Sequence, residues 1–213
     1  MKSFCGTLGG VILIFVIIIM VFSWKDDIIA FSKPIDLNVD RPENLKAVET
    51  DIDMLLGRFT QEEITTKKDG AITSQKRKNY YVMPILGEET IYYVGIVADS
   101  EKSAPYNRIS DLSWQYLSGE SDQLGEEVIN FQGGFVKMDD EVYEHFREWF
   151  EDGEFFDDEE ELMEYVLPLV LTEVNYEGTR KAAYFTLGAF VLSIIMLVYG
   201  YRPERRKEAG DVD

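Results

Sequence analysis

Cysteine and histidine are almost absent from this sequence: Cys5 and His145 are single examples in 213 residues. Zinc sites built from several cysteines or histidines are therefore excluded, and no second thiol exists for a disulfide. The sequence also lacks a Gly-rich phosphate loop followed by Lys-Ser/Thr and a G-x-S-x-G nucleophile elbow. It contains no signature of a cofactor site, and we predict none.

Long charge-free stretches, in contrast, occur near both ends. Residues 8–24 read LGGVILIFVIIIMVFSW, and residues 182–201 read AAYFTLGAFVLSIIMLVYGY. A helix needs about 20 apolar residues, and at least about 17, to cross a bilayer. A cleaved signal peptide is the alternative for the first stretch, but Ser23-Trp24-Lys25 offers no small-x-small cleavage site. Both stretches are predicted to be transmembrane helices.

The basic residues beside these stretches predict the orientation in the cell membrane. Residues 202–213 carry four of them, and residues 1–7 add Lys2 and the free amine. Because basic tails remain on the cytoplasmic side, both tails are predicted to be cytoplasmic. Residues 25–181 then form one extracytoplasmic domain.

That domain is strongly acidic. Residues 25–181 contain 16 Lys and Arg against 36 Asp and Glu, a net charge of −20. A surface of this charge repels nucleic acid phosphates, so nucleic acid is excluded as a partner, whereas cations and basic proteins are attracted.

The pattern within the domain predicts an α+β fold with an antiparallel sheet. Residues 79–86 (NYYVMPIL) and 90–98 (TIYYVGIVA) form a hairpin, and Asp69-Gly70 signals another turn. Pro84 indicates an edge position or a bulge in its strand. Residues 28–44, which contain Pro34 and Pro42, are predicted to be an extended connector before the sheet.

The rest of the domain combines helices and strands. A short helix capped by Ser110 or Asp111 is predicted to end at Gly119, and a strand over residues 126–138 follows, with a bulge predicted at Gly133-Gly134. Two helices, the second of which ends at Pro168, and a last strand over residues 169–176 complete the domain. The strand order is also compatible with a small OB-like barrel.

An acidic run occurs towards the end of the domain. Residues 139–164 contain fourteen carboxylates and a single basic residue, Arg147. Oxygen-rich clusters can bind Ca²⁺, and the weak candidates are Asp157, Asp158, Glu160 and Glu161. An EF-hand loop is excluded because Phe150 would occupy a ligand position. A solvated helix face explains the same charges, and a surface position explains His145.

Three aromatic residues share one face of the first acidic helix. Phe146, Trp149 and Phe150 follow helical spacing, so the stripe faces either the domain's own sheet or a partner protein. We expect the sheet, and keep the three residues as partner-binding candidates. In the first apolar stretch, Gly6 and Gly10 form a small-xxx-small pattern that allows close helix packing.

Several segments together resemble a family of uncharacterised bacterial two-span membrane proteins that carry a domain-of-unknown-function label. They are the two-anchor layout, the tyrosine-rich hairpin, WQYLSGESDQL (residues 114–124) and GGFVKMDDEVYEHFREWF (residues 133–150). The resemblance implies an exported α+β domain held by two helices, and it implies no activity and no site residue.

The expected function is therefore that of a membrane-anchored protein-binding, scaffolding or accessory protein of the envelope. Two alternatives stay open: a hydrolase of cell-wall glycans that uses paired carboxylates, and a cation-sensing domain.

Overall fold

The structure, a computed structural model, describes residues 2–68, 71–87 and 90–201, and consists of five helices and six strands. The helices are α1 Lys2–Phe31, α2 Ser103–Leu117, α3 Asp140–Asp152, α4 Glu159–Tyr165 and α5 Tyr176–Tyr201. The strands are β1 Ala47–Ile52, β2 Gly57–Lys68, β3 Ala71–Leu86, β4 Ile91–Asp99, β5 Ile129–Lys137 and β6 Val166–Glu173. A 3-10 turn, Ser100–Lys102, connects β4 to α2.

All six strands form one sheet in the order β1-β5-β6-β4-β3-β2. The prediction of an α+β fold is confirmed, but the sheet is mixed and not purely antiparallel, because β4 and β6 run parallel. This pairing follows from the long crossover through α2, β5, α3 and α4 that separates the two strands in the chain. The OB-like barrel is not confirmed, since β1 and β2 lie at opposite edges of the sheet.

Helices cover both faces of the sheet. Alternate residues of β3 point to opposite sides, so Tyr81 packs with Ile109 of α2 and Tyr80 packs with Phe146 of α3. The two resulting cores are apolar and well filled, and they fix α2 on one face and α3 with α4 on the other.

The hairpin of β2 and β3 is longer than the sequence pattern indicated. The two strands pair from Gly57↔Val82 to Lys68↔Ala71, and the turn predicted at Asp69-Gly70 lies outside the described residues. Pro84 lies beyond the end of β2, where β3 pairs only with β4, which agrees with the edge position predicted for it.

The Gly133-Gly134 pair does not form the predicted bulge. Both glycines pair in regular register with β1 and with β6. Glycine is needed here because Ile29 packs directly against the main chain: a Cβ at Gly134 would lie 2.5 Å from Cγ2 of Ile29.

Residues 28–31, which we expected to be an extended connector, are the last turn of α1, and Ile29 and Ala30 are fully buried.

Two helix boundaries also differ from prediction. Helix α2 begins at Ser103 and not near Ser110, because Pro105 falls in its first turn, where a missing N–H costs no hydrogen bond. Helix α4 ends at Tyr165, and Pro168 lies inside β6 at a register shift against β4. Gly119, with a φ of +76°, follows the end of α2 as predicted.

The chain divides into two compact units. One contains Ile28–Tyr176, and the other contains the apolar helices up to Asp27 and from Glu177 onwards. By length and composition, Phe4–Phe31 and Tyr176–Tyr201 could each cross a membrane. In the helical unit the two helices approach each other closely at Gly9, where a Cβ would lie 2.9 Å from Cβ of Met196. Gly6 also faces the second helix, whereas the nearest atom to a Cβ at Gly10 would be 3.9 Å away.

Candidate functional site

A concavity of the domain lies where β6 ends. It is a cavity of about 700 Å³, here called the notch, within the size range of ligand-binding clefts. Strand β5 forms one wall, the start of α2 with the preceding 3-10 turn forms the other, and the end of β6 closes the base. Its lining residues are Glu101, Lys102, Pro105, Tyr106, Ile129–Gln132 and Glu173–Asn175.

The wall formed by β5 is a strand edge. Strand β5 pairs with β1 along residues 129–134 but with β6 only along residues 133–137. The last contact with the β6 side is the hydrogen bond from Val174 N to Gln132 O, at 3.1 Å. Beyond that bond, in the described part of the chain, no strand adjoins β5 on this side.

The direction of the main-chain groups on this edge follows from the pairing. Phe135 exchanges both of its main-chain hydrogen bonds with residues 45 and 46, on the side of β1. Because these bonds alternate along an antiparallel strand, Ile129 and Phe131 also face β1, and the N–H and C=O of Asn130 face the notch. The notch therefore presents one main-chain donor and one acceptor to an extended chain.

The floor of the notch is aromatic. Phe131 and Tyr106 are 5% and 9% exposed, and the Tyr106 ring stacks on Tyr81 at a centroid distance of 5.5 Å. Burial, with smaller contributions from the charges of Glu173 and Tyr81, raises the pKa of Tyr106 to about 12. The phenol is thus neutral at physiological pH and offers an O–H group beside an apolar surface.

The rim of the notch is charged. Lys102 Nζ donates to Glu173 Oε2 at 2.9 Å and links the 3-10 turn to the end of β6. This hydrogen bond raises the pKa of Lys102. Both side chains are more than 60% exposed, so the ion pair contributes little to stability and can exchange partners. Glu101 adds a second carboxylate to the rim.

The groups that line the notch can hold an extended chain. A strand edge, an aromatic floor and exchangeable rim charges are the features that hold an extended peptide segment. A paired-carboxylate hydrolase needs an acid whose pKa is raised by burial. The buried polar side chains among the described residues are Asn79, Ser110, Ser113 and Ser193, and none of them is a carboxylate.

The aromatic stripe, whose residues were kept as partner-binding candidates, lies mainly in the core. Phe146 and Phe150 are fully buried, and the Phe150 ring contacts Tyr93 with ring centroids 5.0 Å apart. Trp149 is half-buried and stacks on Phe155. Phe146 and Phe150 therefore face the sheet, as expected, and only Trp149 reaches the surface.

The calcium candidates lie at the beginning of α4. Asp158 is the N-cap, and its Oδ1 accepts a hydrogen bond from Glu161 N at 2.8 Å. Glu161 Oε2 accepts one from Asp157 N at 3.3 Å, and Glu160 is exposed. This is a helix-capping arrangement. No group of three or more metal-binding side chains occurs in the part of the chain that the structure describes.

His145 lies on the outer side of α3. Its Nδ1 is 3.1 Å from Glu148 Oε2, and both side chains are about half exposed. A general base needs a cleft and an oriented partner, and this surface position provides neither a cleft nor a fixed tautomer.

Comparison with protein families gives one match, a domain of unknown function (DUF8577), over residues 2–201. The chain belongs to this family. The match covers both apolar helices and the whole domain between them. Comparison with curated proteins and with solved structures gives no match.

Sequence reasoning did not find the notch. Its residues come from three separate segments, around positions 101–106, 129–132 and 173–175, and none carries a motif. One weak signal was present: Asn130 and Gln132 are polar residues within a strand, and their side chains bond Asp51 and Glu49 on β1.

Proposed function

We propose that this protein is an integral membrane protein of a bacterial envelope whose extracytoplasmic domain binds an extended segment of another envelope protein in the notch. The observation that supports this function is the β5 edge along Ile129–Gln132, which has a strand on one side only. A bound segment would pair with the main chain of Asn130 and place a side chain on Tyr106 and Phe131.

The charge of the domain favours a basic segment. The rim carries Glu101 and Glu173 against Lys102, and the net charge of residues 25–181 is −20. A segment that contains lysine or arginine beside an apolar residue could place the apolar side chain on the aromatic floor and the basic side chain beside the carboxylates of the rim.

The membrane location rests on the two end helices. In the most apolar 18 residues of each helix, only 17% of the first helix and 6% of the second helix are buried. A core helix of a soluble protein, in contrast, is mostly buried. Side chains such as Phe22 and Phe185, 83% and 79% exposed, require an apolar solvent. The basic residues of positions 202–207 favour a cytoplasmic location for both tails.

Asn130→Pro tests the edge most specifically. Proline removes the N–H that faces the notch, and the hydrogen bonds of Ile129 and Phe131 to β1 remain. Asn130→Ala is the matched control, because it also loses the side-chain bond to Asp51 but keeps the N–H.

The readout is photo-crosslinking of the full chain in its native membrane. A photoreactive residue at Glu101, on the rim, should give a discrete crosslinked product, and one at the exposed Glu144 of α3 should not give the same product. The Glu101 product should disappear with Asn130→Pro and persist with Asn130→Ala. Identical products at both positions, or a product insensitive to Asn130→Pro, would contradict the proposal.

A further inference from the structure

The hairpin of β2 and β3 continues beyond the rest of the sheet. Strand β4 pairs with β3 only from Lys78↔Asp99 to Leu86↔Ile91, so residues 63–68 and 71–77 pair only with each other. We call these two segments the arm. The described side chains of the arm, at residues 63–65 and 74–77, are all exposed. A two-stranded ribbon with no covered face is marginally stable in water, so contact with another surface would stabilise it.

The arm and its base carry basic charge on an otherwise acidic domain. Residues 67–78 contain five Lys and Arg and one acidic residue, whereas residues 25–181 have a net charge of −20. Lys76 and Lys78 lie two residues apart on β3 and therefore on the same side of the ribbon, about 7 Å apart. Among the described side chains, neither has a carboxylate within ion-pair distance. Arg77 lies on the other side of the ribbon, and its Nε is 3.8 Å from Oε1 of Glu63.

A complementary surface exists on α3. Glu144 and Glu148 are one helical turn apart, a rise of about 6 Å, and both are exposed. They line a shallow groove of about 380 Å³ together with Asp140, Tyr143, Arg147 and Glu151. Arg147 is held by Glu151 and by Glu159, at 3.0 Å each, so it does not neutralise Glu144 or Glu148. The spacing of the two carboxylates matches that of Lys76 and Lys78.

The two lysines lie at the base of the arm, because Lys78 also pairs with Asp99 of β4. A partner's carboxylates therefore reach them only beside the domain. The net charges of two such domains oppose the contact, but charges further apart than the Debye length of about 8 Å are largely screened, whereas a direct lysine–glutamate pair is not.

We propose that the base of the arm binds the α3 groove of a second copy of this chain, with Lys76 and Lys78 paired to Glu144 and Glu148. Every copy carries both surfaces, and two copies in one membrane would have the same orientation and a high effective concentration. The shared orientation and the high effective concentration rest on the proposed membrane location. The complementarity of charge and spacing does not rest on it, and the notch takes no part in the contact.

Charge reversal tests the contact. The assay is energy transfer between donor-labelled and acceptor-labelled full chains in nonionic detergent micelles. We expect Lys76→Glu/Lys78→Glu to weaken self-association at least about tenfold, because two attractions become two repulsions. Glu144→Lys/Glu148→Lys should weaken it similarly. An equimolar mixture of the two variants should associate like the parent, because the swapped charges again meet opposite charges.

The second variant also separates specific contact from general repulsion. Glu144→Lys/Glu148→Lys reduces the negative charge of the domain, so it should strengthen self-association if net repulsion alone controlled it. The control Lys46→Glu/Lys137→Glu changes the net charge as much as the arm variant does and affects two lysines outside the arm, of which Lys137 is exposed and Lys46 is partly exposed. It should leave the energy transfer close to the parent value.

Three results would overturn the proposal. The parent could be monomeric under all conditions, or the two charge-reversed variants could fail to associate with each other when mixed. The control could also weaken self-association as much as the arm variant does.

Anionic lipid is the competing ligand of a basic arm. Self-association that occurs only after phosphatidylglycerol is added would therefore also exclude the direct contact. Asn130→Pro should not change the energy transfer.

Discussion

The hydroxyl of Tyr176 accepts a hydrogen bond from the main-chain N–H of Val48, at 2.9 Å, across 128 positions of sequence. The same hydroxyl donates to the carbonyl of Gly133 on the neighbouring strand. Tyr176 is the first residue of α5, and both Tyr176 and Val48 are buried. This phenol therefore ties the chain that leaves the sheet to the pairing between β1 and β5.

Tyr176→Phe should destabilise the protein by about 1–3 kcal/mol, because it leaves the buried N–H of Val48 without its hydroxyl acceptor. The midpoint of thermal unfolding should fall by several degrees in the full chain in detergent. Tyr116→Phe is the control, since Tyr116 is 42% exposed and should change the midpoint little. Equal midpoints for both variants would mean that the Tyr176 hydroxyl contributes nothing to folding.

A second prediction concerns the aromatic core between the sheet and α3. Phe150 is fully buried against Tyr93, Phe146 and Phe156, so Phe150→Ala should cost about 3–5 kcal/mol. Trp149→Ala should cost less, because that indole is only half-buried. Denaturant unfolding of the two variants measures the difference, with Met163→Ala, at a 60% exposed position, as the control. A larger loss for Trp149 than for Phe150 would contradict this packing.

A third prediction concerns high pH. The folded-state pKa of Tyr106 is about 12, above the ordinary value of 10.0, so the folded state holds the phenolic proton more tightly than the unfolded state does. The phenol therefore leaves stability unchanged below about pH 10 and lowers it as the pH rises from 10 towards 12. Tyr106→Phe should lose less stability over this interval than the parent, as measured by denaturant unfolding at each pH. A parent and variant with parallel pH profiles would be inconsistent with the burial of this hydroxyl.

A fourth prediction concerns calcium. Asp158 and Glu161 are engaged in capping α4, so the acidic run should not provide a dedicated Ca²⁺ site. Titration of Ca²⁺ into the full chain should shift its unfolding temperature only slightly and without saturation. A saturable rise at micromolar Ca²⁺, abolished by Asp158→Asn but not by Glu144→Gln, would show that the acidic run is a binding loop.

The fold could be predicted from the sequence where the signal was local. The two segments rich in Tyr, Val and Ile, residues 79–86 and 90–98, predicted the β3–β4 hairpin, and helical spacing placed Phe146 and Phe150 on one face. The parallel pairing of β4 with β6 could not be predicted in this way. It joins strands between which the chain forms α2, β5, α3 and α4, and no local pattern specifies which distant strand becomes a neighbour.

The glycines and prolines show why local rules were insufficient. Gly133 and Gly134 read as a bulge, yet their role is to admit Ile29 and Thr172 at close range. Pro168 read as a helix stop, yet it lies within β6 at a register shift. In both cases the partner that determines the conformation is far away in the sequence. The notch escaped prediction for the same reason, because it exists only where β6 ends beside β5.

The central claim is that two helices anchor an extracytoplasmic domain, and protease accessibility tests it most directly. The full chain would carry a C-terminal tag after Asp213, and protease would be added to intact spheroplasts. We predict that the domain of Ile28–Tyr176 is degraded while the tag and the basic residues before it stay protected. Loss of the tag with an intact domain would reverse the orientation. Release of the intact chain into the soluble fraction by carbonate washing would contradict the membrane anchor itself.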